Sequence, residues 1–452
     1  LVGLLVCSGY ASSQQTLTLE ECRNLAIQNN KELQMSGEKV KAANEERKAA
    51  FTKYFPQLSA MGGYMWNQKD INLLDMDALS AKLGSALGPL AQLPVFGQLM
   101  GGIDDVQHLD VQNIWVGGVS LVQPVFMGGK IVSYNQITKY ARELAESMND
   151  LQLQEVIYKT DETYWQVISL VNKKKLADAY VGLLRKMDSD VTAMIAEGVA
   201  TKADGLSVRV KVNEAEMTLT KVEDGLSLAR MLLCQLCGID LSSPITLADE
   251  NMEDIPLLTP ETHFDMSTAY ANRPEIRSLE LATQIYKQKI NVTRAEHLPS
   301  IALMGNYMVT NPSVFNSFEN KFKGMWNVGV MVQIPIWHWG EGIYKTKAAK
   351  AEARIAQYQL QDAREKIELQ VNQSAFKVKE ASKKLVMATK NMEKADENLR
   401  YATLGFKEGV IATSNVLEAQ TAWLSAQSEK IDAQIDVKLT EIYLKKSLGT
   451  LK

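Results

Sequence analysis

The chain has 452 residues, with 49 Lys and Arg against 53 Asp and Glu and a formal net charge of −4. This near-neutral balance excludes the concentrated positive charge that nucleic-acid binding requires, so no nucleic-acid partner is expected. The four cysteines are too few for a disulfide scaffold, and the 11 prolines form no proline-rich linker between domains.

Residues 1–11 are apolar and small, a composition typical of the end of a signal peptide. Gly9 and Ala11 supply the small residues of a cleavage site, so we expect an exported protein. Cys7 is an alternative site of lipidation, although Val6 precedes it instead of Gly, Ala or Ser. No later stretch has about 20 apolar residues, so the sequence predicts that the chain would cross a membrane only with strands.

The sequence contains two copies of one unit. At an offset of 243 residues, segment 29–33 matches 272–276, and segment 55–64 matches 298–307. Beyond residue 112 the offset is 211, and it aligns Trp, Gly and Pro residues of the first copy with those of the second. The first copy therefore carries 32 extra residues, the difference between the two offsets.

Each copy is predicted to run helix, strand, loop, strand, long helix, tip and long helix. In repeat 1, over 12–238, the strands and long helices are expected at about 57–67, 112–124, 130–197 and 201–237. A connector with three prolines follows at 239–262. In repeat 2, over 263–452, they are expected at about 299–310, 324–336, 340–408 and 412–448. The extra residues form a predicted loop at 68–113, with an amphipathic helix over 73–90.

The predicted strands alternate between two faces. Every second residue from Leu58 to Trp66 is apolar, aromatic or small, and the second copy repeats this pattern after Pro299 and again after Trp326. Aromatic residues stand near the strand ends, which is typical of strands that face lipid on one side. An ordinary half-buried sheet packed on helices would give the same alternation, so both interpretations are open.

The stretch 340–449 contains no proline and has the pattern of a long helical hairpin. Apolar or small residues recur every three or four positions from 378 to 406, which is the seam of a left-handed coiled coil. Gly409 predicts a helix stop, and the Thr-Ser-Asn segment 413–415 offers caps for a second helix. The first arm, of roughly 65 residues, has a predicted length of about 100 Å.

These features resemble the TolC-like outer membrane factors, the exit ducts of tripartite efflux and type I secretion systems. The resemblance covers nearly the whole chain after residue 11, and rests on the duplicated helix–proline–strand units and on two tips with the pattern Gly-x5-[Asp/Asn]-x-Leu. It implies a mainly α-helical fold with a membrane β-barrel contribution. Three copies would form a 12-stranded outer-membrane barrel, four strands per chain, and a long α-helical barrel in the periplasm. The connector 239–262 would belong to an equatorial segment.

The resemblance implies a homotrimer whose partners are a periplasmic adaptor protein, an inner-membrane pump and outer-membrane lipid. It implies a passive channel, with no enzymatic activity and no cofactor. One point is independent of the family: four strands in one chain leave two open sheet edges, which the membrane interior does not tolerate, so several copies must close the sheet. The alternative function is a non-transport periplasmic coiled-coil scaffold or adaptor protein.

The two tips between the long helices are the candidate docking site for the adaptor, again by resemblance. The matching turns are Glu197-Gly198-Val199 and Glu408-Gly409-Val410. The family places an apolar residue before the glycine, whereas both turns here have an acidic one. The alternative is that these glycines only terminate helices.

Just inside the tips, the resemblance implies a periplasmic gate made of acidic side chains. The matching positions are Asp204 in the first copy and Asn415 and Glu418 in the second. The spacing of Asn415 and Glu418 puts both on one helix face, and threefold symmetry would bring like charges together, which attracts cations. Because one expected acid is Asn415, we expect a weak cation constriction. Ordinary solvated tip charges are the alternative.

Several aromatic residues are candidate membrane-interface anchors, with core packing as their alternative role: Tyr64, Trp66, Trp115, Tyr307, Trp326 and Trp337. Catalytic and metal sites are not expected. The four histidines, 108, 263, 297 and 338, are isolated in the sequence and have no metal-ligand spacing. The pair Cys234 and Cys237 has CxxC spacing, but it ends a helix before Gly238, which favours a structural role over a redox or metal role.

Overall fold

The computed structural model describes residues 15–68, 71–72, 108–109, 112–251, 266–313 and 319–451. The predictions for Cys7, for the signal segment 1–11, for the helix at 73–90 and for His263 lie outside these residues. The described helices are α1 Leu19–Asn29, α2 Lys31–Thr52, α3 Lys130–Ala196, α4 Lys202–Cys237, α5 Met266–Asn272, α6 Pro274–Ala295, α7 Glu341–Lys407 and α8 Thr413–Ser447. The prediction of a mainly helical chain is confirmed.

The strands of the described residues form three sheets. They are β1 Gln15–Leu17, β2 Gln57–Trp66, β3 Ile71–Asn72, β4 His108–Leu109, β5 Asn113–Met127, β6 Ile245–Leu247, β7 Ser300–Asn311 and β8 Lys323–Gln333. The largest sheet has the order β2-β5-β7-β8 and is antiparallel throughout. Strand β1 pairs in parallel with β6, and β3 pairs with β4.

The two copies pair their strands in the same register, as the two offsets of the sequence predict. In the first copy Gln57 lies opposite Val122, and in the second copy Ser300 lies opposite Gln333. These residues are related by the same offsets, 243 and 211, that align the sequences. Register in a sheet is fixed by which side chains face each side, so the two copies also distribute their side chains alike.

Strand β5 is longer than expected and β8 is shorter, although they are counterparts. The ladder between β5 and β7 continues to Met127, which lies opposite Ser300, after a bulge between Pro124 and Phe126. Strand β8 ends at Gln333, whereas the alternation predicted a strand to about 336. The reason is that β8 is the outer strand of the sheet and its far side has no neighbour among the described residues.

One compact unit consists of Leu1–Asn44, Tyr140–Thr283 and Ile355–Lys452. It contains most of the long helices, and its largest core cluster gathers Tyr164, Val167, Ile168 and Leu233, all almost fully buried. The apolar and small residues of the predicted seam, which recur every three or four positions from 378 to 406, are all buried or half-buried. Burying one such side chain contributes roughly 1.5–3 kcal/mol.

The second long helix of each copy ends at a glycine that fits closely against the preceding short helix. Gly238 and Gly449 have φ angles of 68° and 70°, which favour glycine. A Cβ at Gly238 would lie 2.3 Å from the Cβ of Asn29, and a Cβ at Gly449 would lie 2.8 Å from the backbone of Asn272. Thus both copies have the same helix end, held by a close approach that excludes a larger residue.

The other compact unit consists of Glu45–Lys139 and Gln284–Arg354 and contains the four-stranded sheet. Its outer strands are exposed at every residue from Gln57 to Trp66, and nearly so from Lys323 to Gln333. Large apolar side chains are among those exposed, with 74% of Trp326 and 73% of Val328 accessible. Within the described helices, no segment combines the length and the apolar character needed to cross a membrane.

Candidate functional site at the helical tips

The first tip joins α3 to α4 through a glycine turn. Gly198 has a φ angle of 76°, which an L side chain adopts only with strain. Its amide donates to the carbonyl of Ile195 at 3.1 Å, and the amide of Val199 donates to the carbonyl of Met194 at 2.9 Å. This pair of hydrogen bonds is a Schellman motif, which satisfies the last carbonyls of the helix.

The second tip, between α7 and α8, repeats the turn. Gly409 has a φ angle of 72° and donates to the carbonyl of Phe406 at 3.0 Å, while Val410 donates to that of Gly405 at 2.8 Å. Both glycines therefore do terminate helices. This does not decide between termination and docking, because the same turn also presents its next side chain to solvent.

The tips end in exposed apolar side chains flanked by acids. Val199 is 69% exposed and Val410 is 81% exposed. The acidic residues before the glycines, Glu197 and Glu408, are also exposed. An exposed valine at the end of a helical hairpin gives little to this chain's own stability, and the two valines occupy equivalent turns of the two copies.

The two tips differ in how their second helix begins. In the first tip the Thr201 hydroxyl accepts from the Asp204 amide at 3.2 Å, and the Asp204 carboxylate accepts from the Thr201 amide at 2.9 Å. This reciprocal pair is a capping box. The hydrogen bonds from the Thr201 side chain and backbone lower the pKa of the Asp204 carboxyl. Asp204, a predicted gate residue, therefore also caps the start of α4.

In the second tip the corresponding box is missing. The N-cap of α8 is Ala412, with no side-chain hydrogen bond to the helix, and Asn415 occupies the position that Asp204 has in the first tip. The expectation that residues 413–415 would cap this helix is wrong, since α8 already begins at Thr413. Asn415 and Glu418 are both exposed on the first turns of α8.

A hydrophobic cluster supports both tips. It joins buried residues of all four long helices, including Leu184, Val191, Val208, Phe406 and Val416. Three of them, Leu184, Val191 and Val208, have no exposed surface. Because the same cluster contains residues from both hairpins, the position of each tip depends on the packing of the other.

The predicted interface aromatics lie on the four-stranded sheet or just beyond it. Tyr64 lies opposite Trp115, with ring centroids 4.5 Å apart, and Tyr307 lies opposite Trp326. The Tyr64 hydroxyl donates to Asn113 at 2.8 Å. Trp66 is exposed on β2. Trp337 lies past the other end of β8, is 70% exposed and packs edge-on against Trp339 at 5.8 Å.

Two of the histidines, which are isolated in the sequence, lie side by side in the fold. His297 and His338 form an edge-to-face pair with centroids 6.2 Å apart. Cys22 joins Cys234 and Cys237 as buried free thiols in the largest core cluster. Within the described residues, no group of three or more potential ligands is arranged to hold a metal ion.

Sequence reasoning missed the role of Thr201, although the signal was present. Thr201 and Asp204 have the Thr-x-x-Asp spacing that precedes a capped helix, and the duplication would have directed attention to Ala412 and Asn415 at the same positions. It also missed the bond between the Trp423 indole Nε1 and the Asp396 carboxylate, which joins α7 to α8 at 2.5 Å. No sequence pattern predicts that contact.

Comparison with known proteins gives one consistent result. The family model of the outer membrane efflux protein matches residues 22–238 and 266–450. The alkaline protease secretion protein AprF of Pseudomonas aeruginosa is 24% identical over 258 residues, which cover 55% of this chain and 51% of AprF. The outer membrane protein TolC of Vibrio cholerae is 19% identical over 96% of this chain and 91% of its own.

The fold is that of a solved channel structure. A crystal structure of CusC matches 98% of this chain and 94% of its own, with a TM-score of 0.76 at 15% identity. In sequence, this chain spans about half the length of AprF, at 51%.

Proposed function

Because this chain belongs to the outer membrane efflux protein family, we propose that it is the outer-membrane exit duct of a tripartite efflux or type I secretion system. Three copies close a 12-stranded barrel in the outer membrane, and their long helices form a helical barrel in the periplasm. The duct is passive: a periplasmic adaptor protein and an inner-membrane pump open it and supply the energy.

The observation that carries this proposal is the four-stranded sheet with two open edges. Its outer strands β2 and β8 each have one neighbour within the described chain, and large apolar side chains on both strands, such as Leu58 and Val328, are exposed. Unpaired backbone groups are not tolerated in hydrocarbon. Closure by further copies satisfies the edges, and lipid covers the apolar face.

Conductance tests the channel. The purified protein reconstituted in planar bilayers should give discrete conductance steps, and its migration on gels should change on heating, as for a stable oligomeric barrel. A non-transport coiled-coil scaffold or adaptor would give neither. Failure to conduct, in a preparation whose oligomer survives detergent extraction, would overturn the proposal.

The adaptor docks on the two tips in this proposal. Glu197, Gly198 and Val199 supply one contact, and Glu408, Gly409 and Val410 supply its counterpart. The support for this is the exposure of Val199 and Val410 at turns that already satisfy their own backbone hydrogen bonds. The acids beside the valines favour an adaptor whose tip carries complementary positive charge, since opposite charges give specificity and a fast association rate.

Substitution at the valines tests docking without straining the turn. Val199→Asp combined with Val410→Asp should weaken binding of a cognate adaptor at least tenfold in a pull-down titration. The matched control is Leu228→Asp, because Leu228 has a similar exposure of 67% but lies in α4 away from the tip. Larger residues at Gly198 and Gly409 should also abolish binding. Equal binding by the valine variants and the control would rule out the docking assignment.

A further inference from the structure

The internal duplication determines how two copies of this chain join at the sheet edge. Within one chain, the contact between β5 and β7 joins the last strand of copy 1 to the first strand of copy 2. Between chains, the corresponding contact joins β8, the last strand of copy 2, to β2, the first strand of copy 1. Both ladders inside the copies obey the offsets 243 and 211. Adding 211 to a residue of β5 therefore gives its counterpart in β8, and subtracting 243 from a residue of β7 gives its counterpart in β2. Applied to the pairs between β5 and β7, this conversion gives the pairs between β8 and the partner's β2.

From this we infer that β8 pairs antiparallel with β2 of the partner subunit in one definite register. Val119 lies opposite Tyr307 within the chain, which converts to Val330 opposite Tyr64 of the partner subunit. By the same conversion, Gly329 lies opposite the partner's Met65. This inference rests on the proposed function, because it specifies the strand contact through which the copies close.

The register is consistent with the two faces of the sheet. The apolar face of β8 carries Val328, Val330 and Val332, and the apolar face of β2 carries Leu58 and Tyr64. Directly opposed residues in an antiparallel pair lie on one face. A slip by one residue would turn the apolar face of one strand to the other side of the sheet. The converted register keeps both apolar faces on the same side.

The space around Gly329 also agrees with this register. A Cβ at Gly118, its counterpart, would lie 2.8 Å from the Tyr307 carbonyl and 3.4 Å from the Cα of Met308. That close approach explains why position 118 is glycine. At Gly329, by contrast, no heavy atom of the described chain lies within 4 Å of an added Cβ. In the oligomer, the close approach of the partner's β2 explains why position 329 is glycine, which no contact within the described chain explains.

The inferred ladder continues past the end of β8. In the first copy, the bulge lets Phe126 lie opposite Ile301, which converts to Trp337 opposite Leu58 of the partner subunit. Residues 334–338 belong to no strand in the described chain, and Ile336, the counterpart of the bulge residue Val125, is 89% exposed. This segment, 334–338, is therefore the unpaired end of β8, which becomes ordered strand only against the partner.

Disulfide crosslinking tests the register. The variants Tyr64→Cys with Val330→Cys, and Gly63→Cys with Met331→Cys, place cysteines at adjacent opposed positions. Adjacent pairs alternate between the closer and the wider spacing, so one pair has geometry suited to a disulfide. Mild oxidation should give reducible species larger than one chain. The matched control, Tyr64→Cys with Ile334→Cys, keeps the same face but is displaced by four residues, about 13 Å, and should crosslink at least tenfold less.

Steric substitution gives a second measurement. Gly329→Ala should reduce the detergent-resistant oligomer at least tenfold while the helical circular dichroism signal persists. Gly62→Ala is the matched control. At its counterpart Gly305, the only heavy atom of the described chain within 4 Å of an added Cβ is the Val328 Cγ2, at 4.0 Å, so an alanine fits there without a clash. Equal oligomer yield from both variants would contradict the inferred close approach.

The two proposals fail differently. If the parent protein conducts but the displaced cysteine pair crosslinks as well as the opposed pairs, the register is wrong and the channel stands. A disulfide formed within a single chain would also overturn the register. If the parent forms oligomers that crosslink as inferred but do not conduct, the proposed function fails and the strand contact remains.

Discussion

Restoring the missing capping box should stabilise the second tip. The double variant Ala412→Thr with Asn415→Asp recreates at the start of α8 the arrangement that Thr201 and Asp204 form at the start of α4. In the first tip that arrangement satisfies two backbone amides, through bonds of 3.2 Å and 2.9 Å. Ala412 has an extended backbone, with φ −71° and ψ 152°, which is the conformation that a threonine N-cap needs.

The expected gain follows from the hydroxyl at the N-cap. Replacing alanine by threonine at this position contributes about 1 kcal/mol, which corresponds to roughly a fivefold change in a local opening equilibrium. The converse change, Thr201→Ala in the first tip, should lower the stability of the start of α4 by a similar factor. The two substitutions act on separate helices, so each tip is the control for the other.

Hydrogen exchange of the tip peptides measures this effect directly. In the double variant, amides in the first turn of α8 should exchange about fivefold more slowly, and the first tip should be unchanged. Thr201→Ala should give the opposite pattern. If Thr201→Ala accelerates exchange in α4 but the double variant leaves α8 unchanged, then Ala412 is held by other contacts and the comparison of the two tips is wrong.

The remaining predictions concern pH, the gate and the supporting cluster. Hydrogen bonds from the Thr201 side chain and backbone lower the pKa of the Asp204 carboxyl from its ordinary value of 3.8. The contribution of the box is therefore present above pH 3.8 and lost as the pH falls through the lowered pKa. Protection factors at the start of α4, which are corrected for the intrinsic pH dependence of exchange, should fall at low pH in the parent and fall less in Thr201→Ala, which keeps only the bond to the backbone amide. Glu418→Ala should weaken block of single-channel conductance by divalent cations, whereas equal block in both proteins would exclude the acidic ring. Leu184→Ala should destabilise the tip cluster by about 2–5 kcal/mol, measured by thermal unfolding in detergent with Leu228→Ala, an exposed position, as the control.

The sequence alone determined the repeated architecture. Period-two and heptad patterns identify strands and long helices because burial on one face requires them, and glycine at 198, 238, 409 and 449 marks helix ends because only glycine adopts a positive φ freely. Self-comparison then related the two copies residue by residue. The same offsets hold in the ladders, since an identical alternation of faces enforces an identical register.

Contacts between distant segments were decided by the tertiary structure. Arg23 donates to the fully buried carboxylate of Asp161, 138 residues away, at 2.6 Å, and no local pattern predicts that pairing. The structure also showed that Asp204, a predicted gate residue, caps α4. Strand β8 ends three residues earlier than expected because its far side has no neighbour among the described residues. Local patterns specify which face is buried, but the partner that covers a face or an edge is chosen only when the whole chain, or a second chain, packs against it.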